Sequence, residues 1–165
     1  MPNLITTDVQ MFHCQDINLR RAFPTELEWF LSDSNVSGYA AEDDQIVLNP
    51  YTTLSINERS CVVRNEAIRI FIRRLQLKIS IEITKEQKAA FAGTHYESDP
   101  QSLRETIISR VASGDPSCGK ATQEQIGFAS ALNEIFDRIV KITCDEDSDR
   151  DLVILASTRG HDTRA

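Results

Sequence analysis

Residues 114–121 have part of the glycine and lysine spacing of a loop that surrounds a phosphate group. Gly114, Gly119 and Lys120 fit that spacing, but Ala121 stands where a Ser or Thr is required. Such a loop must also connect a strand to a helix, so that backbone N–H groups point at the phosphate. A helical pattern over residues 103–111 precedes this one. We therefore interpret it as a helix–helix connection and expect no bound cofactor.

A dense acidic segment spans residues 145–151. Three of its aspartates have the spacing that opens a calcium-binding loop. However, Arg150 occupies the position of the required glycine, and Ala156 that of the bidentate glutamate. We therefore expect no metal site, but an exposed, extended segment that is the best local candidate for binding a basic partner. Its acidic residues are Asp145, Glu146, Asp147, Asp149 and Asp151.

A second candidate lies in a long helical pattern. Asn65, Glu66 and Arg69 occupy the positions of His, Glu and His in the HExxH helix, whose imidazoles bind zinc and whose glutamate is a general base. With the strand predicted before it, the sequence over residues 38–74 resembles a degenerate zinc-protease core. Because Asn and Arg cannot replace two imidazole ligands, the resemblance implies neither a metal nor peptidase activity.

Arginines dominate the polar positions of the same helix. The i,i+3 spacing of Glu66 and Arg69 predicts an ion pair, on a polar strip that also contains Arg59 and Arg73. Further basic residues spread around more than half of the helix circumference. This distribution favours several structural ion pairs over a single face that binds nucleic acid.

The residues Val47-Leu48-Asn49-Pro50-Tyr51, together with residues 65–69, are similar to uncharacterised small proteins of phages and other mobile elements. This resemblance implies an accessory, virion or inhibitor role.

Composition and charge narrow the functional classes. The chain has 25 acidic and 18 basic residues, a formal net charge of −7, which disfavours nonspecific binding to nucleic acid. Its four cysteines are widely spaced and form no CxxC pair. No signal peptide or membrane-spanning segment is evident. We expect a protein of the cytoplasm or of a virion, with no membrane association.

The pattern of apolar residues predicts a helix-rich α+β domain over residues 1–157, followed by a flexible tail. Its central helix covers residues 56–74 and begins at a capping box of Ser55 and Glu58. Strands are predicted near residues 45–49 and 75–83, the latter from strict period-two alternation. The small sheet is expected to pack on the central helix and on the helices that follow.

Other elements have weaker patterns. Thr122 and Gln125 form another capping box, which opens a long helix. Residues 17–23 suggest a helical turn and residues 152–155 a final strand, whereas residues 158–165 are predicted to form the tail.

Three functional hypotheses follow. The lack of a catalytic motif and the acidic balance favour a non-enzymatic protein that binds another protein. A pocket lined by converging polar side chains that include His95, Glu66 or Cys118 would favour a hydrolase or metal-dependent enzyme. A continuous, solvent-exposed face formed by Arg59, Arg69 and Arg73 would favour a nucleic-acid-binding module. The oligomeric state stays open.

The cysteine spacing predicts that all four thiols are free in the native protein, because reducing compartments disfavour disulfides. Thiol titration under denaturing, non-reducing conditions should detect every cysteine. Detection of half of them or none, with alkylation controls against air oxidation, would contradict the expected compartment.

Overall fold

The computed structural model of the chain describes residues 15–158. Within them the chain forms six α-helices and a four-stranded mixed sheet, which confirms the α+β class. Residues 159–165 of the expected tail lie outside the described residues. The elements, in chain order, are β1 (Gln15–Arg20), α1 (Pro24–Ser32), β2 (Gly38–Ala40), β3 (Ile46–Leu48), α2 (Ile56–Leu75), α3 (Lys85–Ala90), α4 (Pro100–Ser113), α5 (Gln123–Ile139), β4 (Val140–Cys144) and α6 (Arg150–Thr158).

The sheet has the order β2-β3-β1-β4. β1 runs parallel to both of its neighbours, and Leu19 lies beside Ile46 of β3 and Cys144 of β4. β2 pairs antiparallel with β3 at the other edge. The strand predicted near residues 45–49 is therefore confirmed, whereas the helical turn predicted for residues 17–23 is wrong. Ile17 and Leu19 are buried in the sheet, and their alternate spacing is that of a strand.

The central helix α2 is confirmed, with the Ser55–Glu58 capping box at its start and a left-handed Gln76 at its end. It packs between layers, because it contacts β2 and β3 as well as α4 and α6. On the sheet side the contact is close: a Cβ atom at Gly38 would lie 3.0 Å from Val62 Cγ1 and 2.9 Å from the carbonyl oxygen of Val47. Only glycine fits there without displacement.

Residues 75–83 do not form the predicted strand. Leu75 still belongs to α2, and the residues that follow it pair with no strand of the described chain. The alternation itself is real, since Ile79 and Ile81 are buried and Ser80 is exposed. Period-two alternation reports one buried face, and here that face packs on helices instead of completing a sheet.

The second half of the chain is mostly helical, as predicted. The Thr122–Gln125 capping box opens α5. The strand predicted for residues 152–155 is wrong, because they lie in α6, where Leu152, Val153 and Ala156 are buried at helical spacing. The long helix ends at Ile139, and Val140 begins β4 directly after it.

Ile68 tests the assignment of the core, because its side chain is fully buried in α2. We expect Ile68→Ala to lower the free energy of unfolding by roughly 2–5 kcal/mol, the range for large-to-small substitutions in a core. Urea titration measures the change. Ile56→Ala, at a position of the same helix that is 47% exposed, is the control and should have a much smaller effect. A loss below about 0.5 kcal/mol at position 68 would show that the core lies elsewhere.

Candidate functional site

A crevice opens where the three parallel strands end. Strands β1, β3 and β4 run in one direction, so their carboxyl ends meet at one edge of the sheet. This is where ligands bind in open α/β sheets. The cavity there has a volume of about 490 Å³. Its apolar lining comprises Leu19, Ala22, Leu27, Leu48, Pro50 and Leu54, and its polar lining comprises Arg20, Arg21, Asn49, Thr52, Arg59, Glu146, Ser148 and Asp149.

One wall of the crevice is the turn that follows β3. Asn49 is buried, and its Nδ2 donates to the carbonyl oxygen of Val36 at 2.7 Å. Its Oδ1 accepts a hydrogen bond from the backbone N–H of Tyr51 at 2.9 Å. The side chain therefore sets the direction of the chain through Pro50 and presents Thr52 to the cavity.

An ionic network adjoins the crevice through Arg20, which is one of the lining residues. The Arg20 guanidinium donates two hydrogen bonds to the Glu26 carboxylate, at 2.7 and 2.9 Å, and its Nε donates to Asp43 at 3.0 Å. The Tyr39 hydroxyl donates to the same Glu26 carboxylate. The network joins the end of β1 to the start of α1 and to β2, so it fixes the shape of the crevice.

Sequence reasoning missed this network. At the start of α1, the Glu26 carboxylate accepts a hydrogen bond from the backbone N–H of Phe23, at 2.8 Å. The sequence analysis did not predict β1. It therefore gave no reason to place Glu26 close to the end of a strand and to Arg20. The hydrogen bonds from Arg20 lower the pKa of Glu26 to about 2. Burial, followed by the Glu26 carboxylate, raises the pKa of Tyr39 to about 12.

The rim of the crevice carries two ion pairs that cross it. Arg21 lies 3.2 Å from Glu146, and Arg59 lies 3.9 Å from Asp149. All four side chains are at least partly exposed. Pairs of this kind contribute little to stability, so a ligand can exchange its own charge for either partner at low cost.

The acidic segment of residues 145–151, hereafter the acidic ridge, forms part of this rim. It is not the extended loop that repulsion between carboxylates predicted. Residues Asp147–Asp149 form a 3-10 turn, and Asp151 lies in the first turn of α6, where the helix dipole favours negative charge. Asp145 is tethered to β1, because it accepts a hydrogen bond from Asn18 at 2.9 Å. The ridge is therefore ordered and held beside the crevice.

The polar strip predicted on α2 is not one surface. Arg59 belongs to the crevice, whereas Arg73 binds Asp44 at 3.3 Å and the carbonyl oxygen of Ala41 at 3.1 Å. The expected pair of Glu66 and Arg69 is present at 3.9 Å, but Glu66 is buried. These side chains therefore serve different parts of the fold.

Glu66 is buried beside Arg69, which links it to Tyr96 and His95. Burial raises the pKa of Glu66, and the nearby Arg69 guanidinium opposes that shift. Arg69 in turn donates to the Tyr96 hydroxyl at 3.1 Å, and the His95 ring stacks on Tyr96. Cys118 is also buried, and none of these residues lines the crevice. Over residues 15–158, no group of three or more His, Cys, Asp or Glu side chains is placed to hold a metal ion.

Comparison of the chain with protein-family models, with curated proteins and with solved structures finds no match. Among the helices of the described chain, none has both the length and the apolar character needed to cross a bilayer.

The Arg20–Glu26 pair predicts a specific dependence of stability on pH. The pKa of Glu26 is about 2 in the folded protein against 4.5 in a model peptide, so the pair stabilises the fold above pH 4.5 and loses this effect as pH falls towards 2. We expect Glu26→Gln to lower the free energy of unfolding at neutral pH by roughly 1–3 kcal/mol and to flatten its decline in that acidic range. Urea titrations across the range measure both changes.

Glu28→Gln is the control, because Glu28 is exposed on the same helix. Its pH profile should match that of the unmodified chain. Identical profiles for all three proteins would contradict the role assigned to Glu26.

Proposed function

We propose that this chain is a non-enzymatic interaction protein, which binds a basic segment of a partner protein at the crevice and the acidic ridge. The observation that carries this proposal is the position of Glu146 and Asp149, which line an open cavity together with six apolar residues and with polar ones that include Arg20, Arg21 and Arg59. A mixture of apolar contacts with a polar, charged rim is the usual composition of a protein-binding site.

The shape of the site supports a peptide segment as the ligand. Leu27, Leu48 and Leu54 can receive an apolar side chain within the cavity. Phe23 and Tyr51, next to lining residues in the chain, are 52% and 49% exposed. Exposed aromatic residues around a pocket are frequent energetic centres of protein interfaces.

The charge of the site supports a basic ligand. The ridge contributes five carboxylates against the single guanidinium of Arg150, and the chain as a whole carries a net charge of −7. Asp147, whose side chain is 94% exposed, pairs with Arg150, and Glu146 pairs with Arg21 at the rim. A Lys or Arg of the partner can replace Arg21 at Glu146 or Arg59 at Asp149, so charge attraction accelerates the encounter.

The other two hypotheses find less support. The arginines of α2 that could contact nucleic acid are engaged by carboxylates, as Arg59 is by Asp149 and Arg73 by Asp44. The residues proposed for an enzyme lie away from the crevice. We propose that the partner is met in a reducing compartment or a virion. The cysteines within residues 15–158 support this, because Cys61, Cys118 and Cys144 are all free thiols. An accessory, virion or inhibitor role is compatible with such binding.

The test uses a display library of random peptides as the probe. We expect selected peptides to combine Lys or Arg with an apolar residue, and their association rate to fall as salt rises. A ridge variant with Asp145, Asp147, Asp149 and Asp151 replaced by Asn should bind at a rate lower by about tenfold and with weaker salt dependence. It should still fold, because exposed charges contribute little to stability.

The matched control removes the same number of exposed carboxylates elsewhere. Its substitutions are Glu28→Gln, Glu42→Gln, Glu86→Gln and Glu134→Gln. Equal rates for the ridge variant and the unmodified chain across the salt series would remove the ridge from the interface. An equal decrease in association rate for the control variant would show that the effect comes from the net charge of the chain and not from the ridge.

A further inference from the structure

The apolar surface of the crevice continues along α1, outside the cavity itself. Leu27 lines the cavity, and Leu31 follows it by one turn, so both side chains lie on the same face of the helix. Leu31 is 65% exposed, the largest exposed fraction among the large apolar side chains of residues 15–158. Apolar side chains exposed beside a cavity mark a surface that another molecule covers. The binding surface is therefore longer than the crevice alone.

A further exposed apolar side chain, Phe23, lies between the lining residue Ala22 and the start of α1. Its ring centre is 3.8 Å from the guanidinium carbon of Arg20, which Glu26 holds in place. Phe23 is therefore 52% exposed but fixed by a contact within the chain. A fixed side chain loses little conformational entropy when a partner covers it.

The backbone groups after β1 already have partners within the chain. The Arg21 carbonyl oxygen accepts from the Arg20 side chain at 3.1 Å, and the Phe23 carbonyl oxygen accepts from the Leu27 N–H at 2.9 Å. The Phe23 N–H donates to the Glu26 carboxylate at 2.8 Å. An extended peptide on this wall would find these groups occupied, although its own backbone groups need partners.

The turn after β3 is bonded in the same way. The Asn49 N–H donates to the Ser37 carbonyl oxygen at 2.9 Å, and the Asn49 carbonyl oxygen accepts from the Thr52 hydroxyl at 3.1 Å. The Tyr51 N–H is bound by the Asn49 side chain. Strands β1 and β3 are paired on both sides, so neither offers an edge to an added strand. These walls therefore recognise a ligand through side chains and not through a backbone ladder.

We propose that the basic segment that binds here is an amphipathic α-helix, whose apolar face covers both the crevice and the surface of α1 at Leu27 and Leu31. This inference rests on the proposed function, because it specifies the conformation of that segment. A helix satisfies its own backbone groups internally, so it needs only side-chain contacts from the crevice. Leu27 and Leu31 lie about one turn apart, and a partner helix of about three turns presents apolar side chains at the same spacing.

Charge determines which amphipathic helix fits. Glu146 and Asp149 line the same cavity as Leu27, and their ion pairs with Arg21 and Arg59 lie at the exposed rim. Lys or Arg side chains beside the apolar face of the partner helix can therefore reach these carboxylates while its apolar residues enter the cavity. An acidic amphipathic helix would meet the carboxylates of the ridge and be repelled.

The experiment selects peptides for binding to the whole chain from two display libraries that have the same residue composition. In the first library, apolar positions recur at i, i+3, i+4 and i+7, which forms one face of a helix. In the second library they alternate with period two, which forms one face of a strand. Lys, Arg and uncharged polar residues fill the remaining positions of both. We expect binders from the helical library alone, and their helicity, measured by circular dichroism, should rise when they bind.

Leu31→Ser tests the contact outside the cavity. It should raise the dissociation constant of a selected helical peptide by roughly tenfold, because the peptide then loses an apolar contact that excludes water. Ile126→Ser is the matched control: Ile126 is 39% exposed on α5 and is not a lining residue of the crevice. It should leave the dissociation constant unchanged. Both positions are exposed, so both variants should fold, which their circular dichroism verifies.

The outcomes separate this inference from the proposed function. Binders that come from the alternating library, or equally from both, would overturn the helix but leave the crevice as a partner site. A helical peptide whose affinity Leu31→Ser does not change, or changes no more than Ile126→Ser does, would also overturn it. If neither library yields a binder, the proposed function fails and this inference fails with it.

Discussion

A fully buried arginine fixes the arrangement of the helices. The Arg64 side chain, in the middle of α2, is 0% exposed. It donates to Asn133 at 2.7 Å and Asp137 at 2.9 Å, both on α5, and to the carbonyl oxygen of Ala156, near the end of α6, at 3.1 Å. A buried guanidinium without such partners would be very costly, so α2, α5 and α6 are stable only when packed together in one way. The charge thereby selects a single packing among the many that apolar side chains alone would permit.

The crevice depends on this arrangement and on a second buried arginine. Because Arg64 holds the end of α6, the start of that helix and the acidic ridge before it are kept beside the strand ends. Arg20 does the same on the other side, where it ties β1 to Glu26 of α1 and to Asp43. Both walls are therefore rigid, whereas the charges on the rim, Arg21 and Glu146 among them, are exposed and exchangeable. A preorganised site loses less conformational entropy on binding than a mobile loop would.

The sequence predicted the parts of the fold that local chemistry determines. Capping boxes at Ser55 and Thr122 located the starts of two helices to the residue, because the groups that cap a helix are neighbours in the chain. The sequence did not predict the elements whose structure depends on contacts with residues that are distant in the chain. β4 follows α5 without a break, so its apolar residues looked like a continuation of the helix. The alternation in residues 77–83 indicated an apolar face but not that helices would cover it. The crevice was invisible for the same reason: its acidic ridge was evident, but Arg20 and Asn49 gain their roles only when β1 and β3 lie side by side.

The central position of β1 has a consequence for how the chain folds. Its partners lie on both sides, and on one side the Asn18 and Thr143 side chains, hydrogen-bonded across the strands, are 125 residues apart in sequence. Closing so long a loop is entropically expensive before any contact repays it, and contacts of high sequence separation slow folding. During synthesis β1 emerges long before β4, so for that interval one edge of β1 stays unpaired. Nascent chains on neighbouring ribosomes are therefore exposed to strand exchange until β4 arrives.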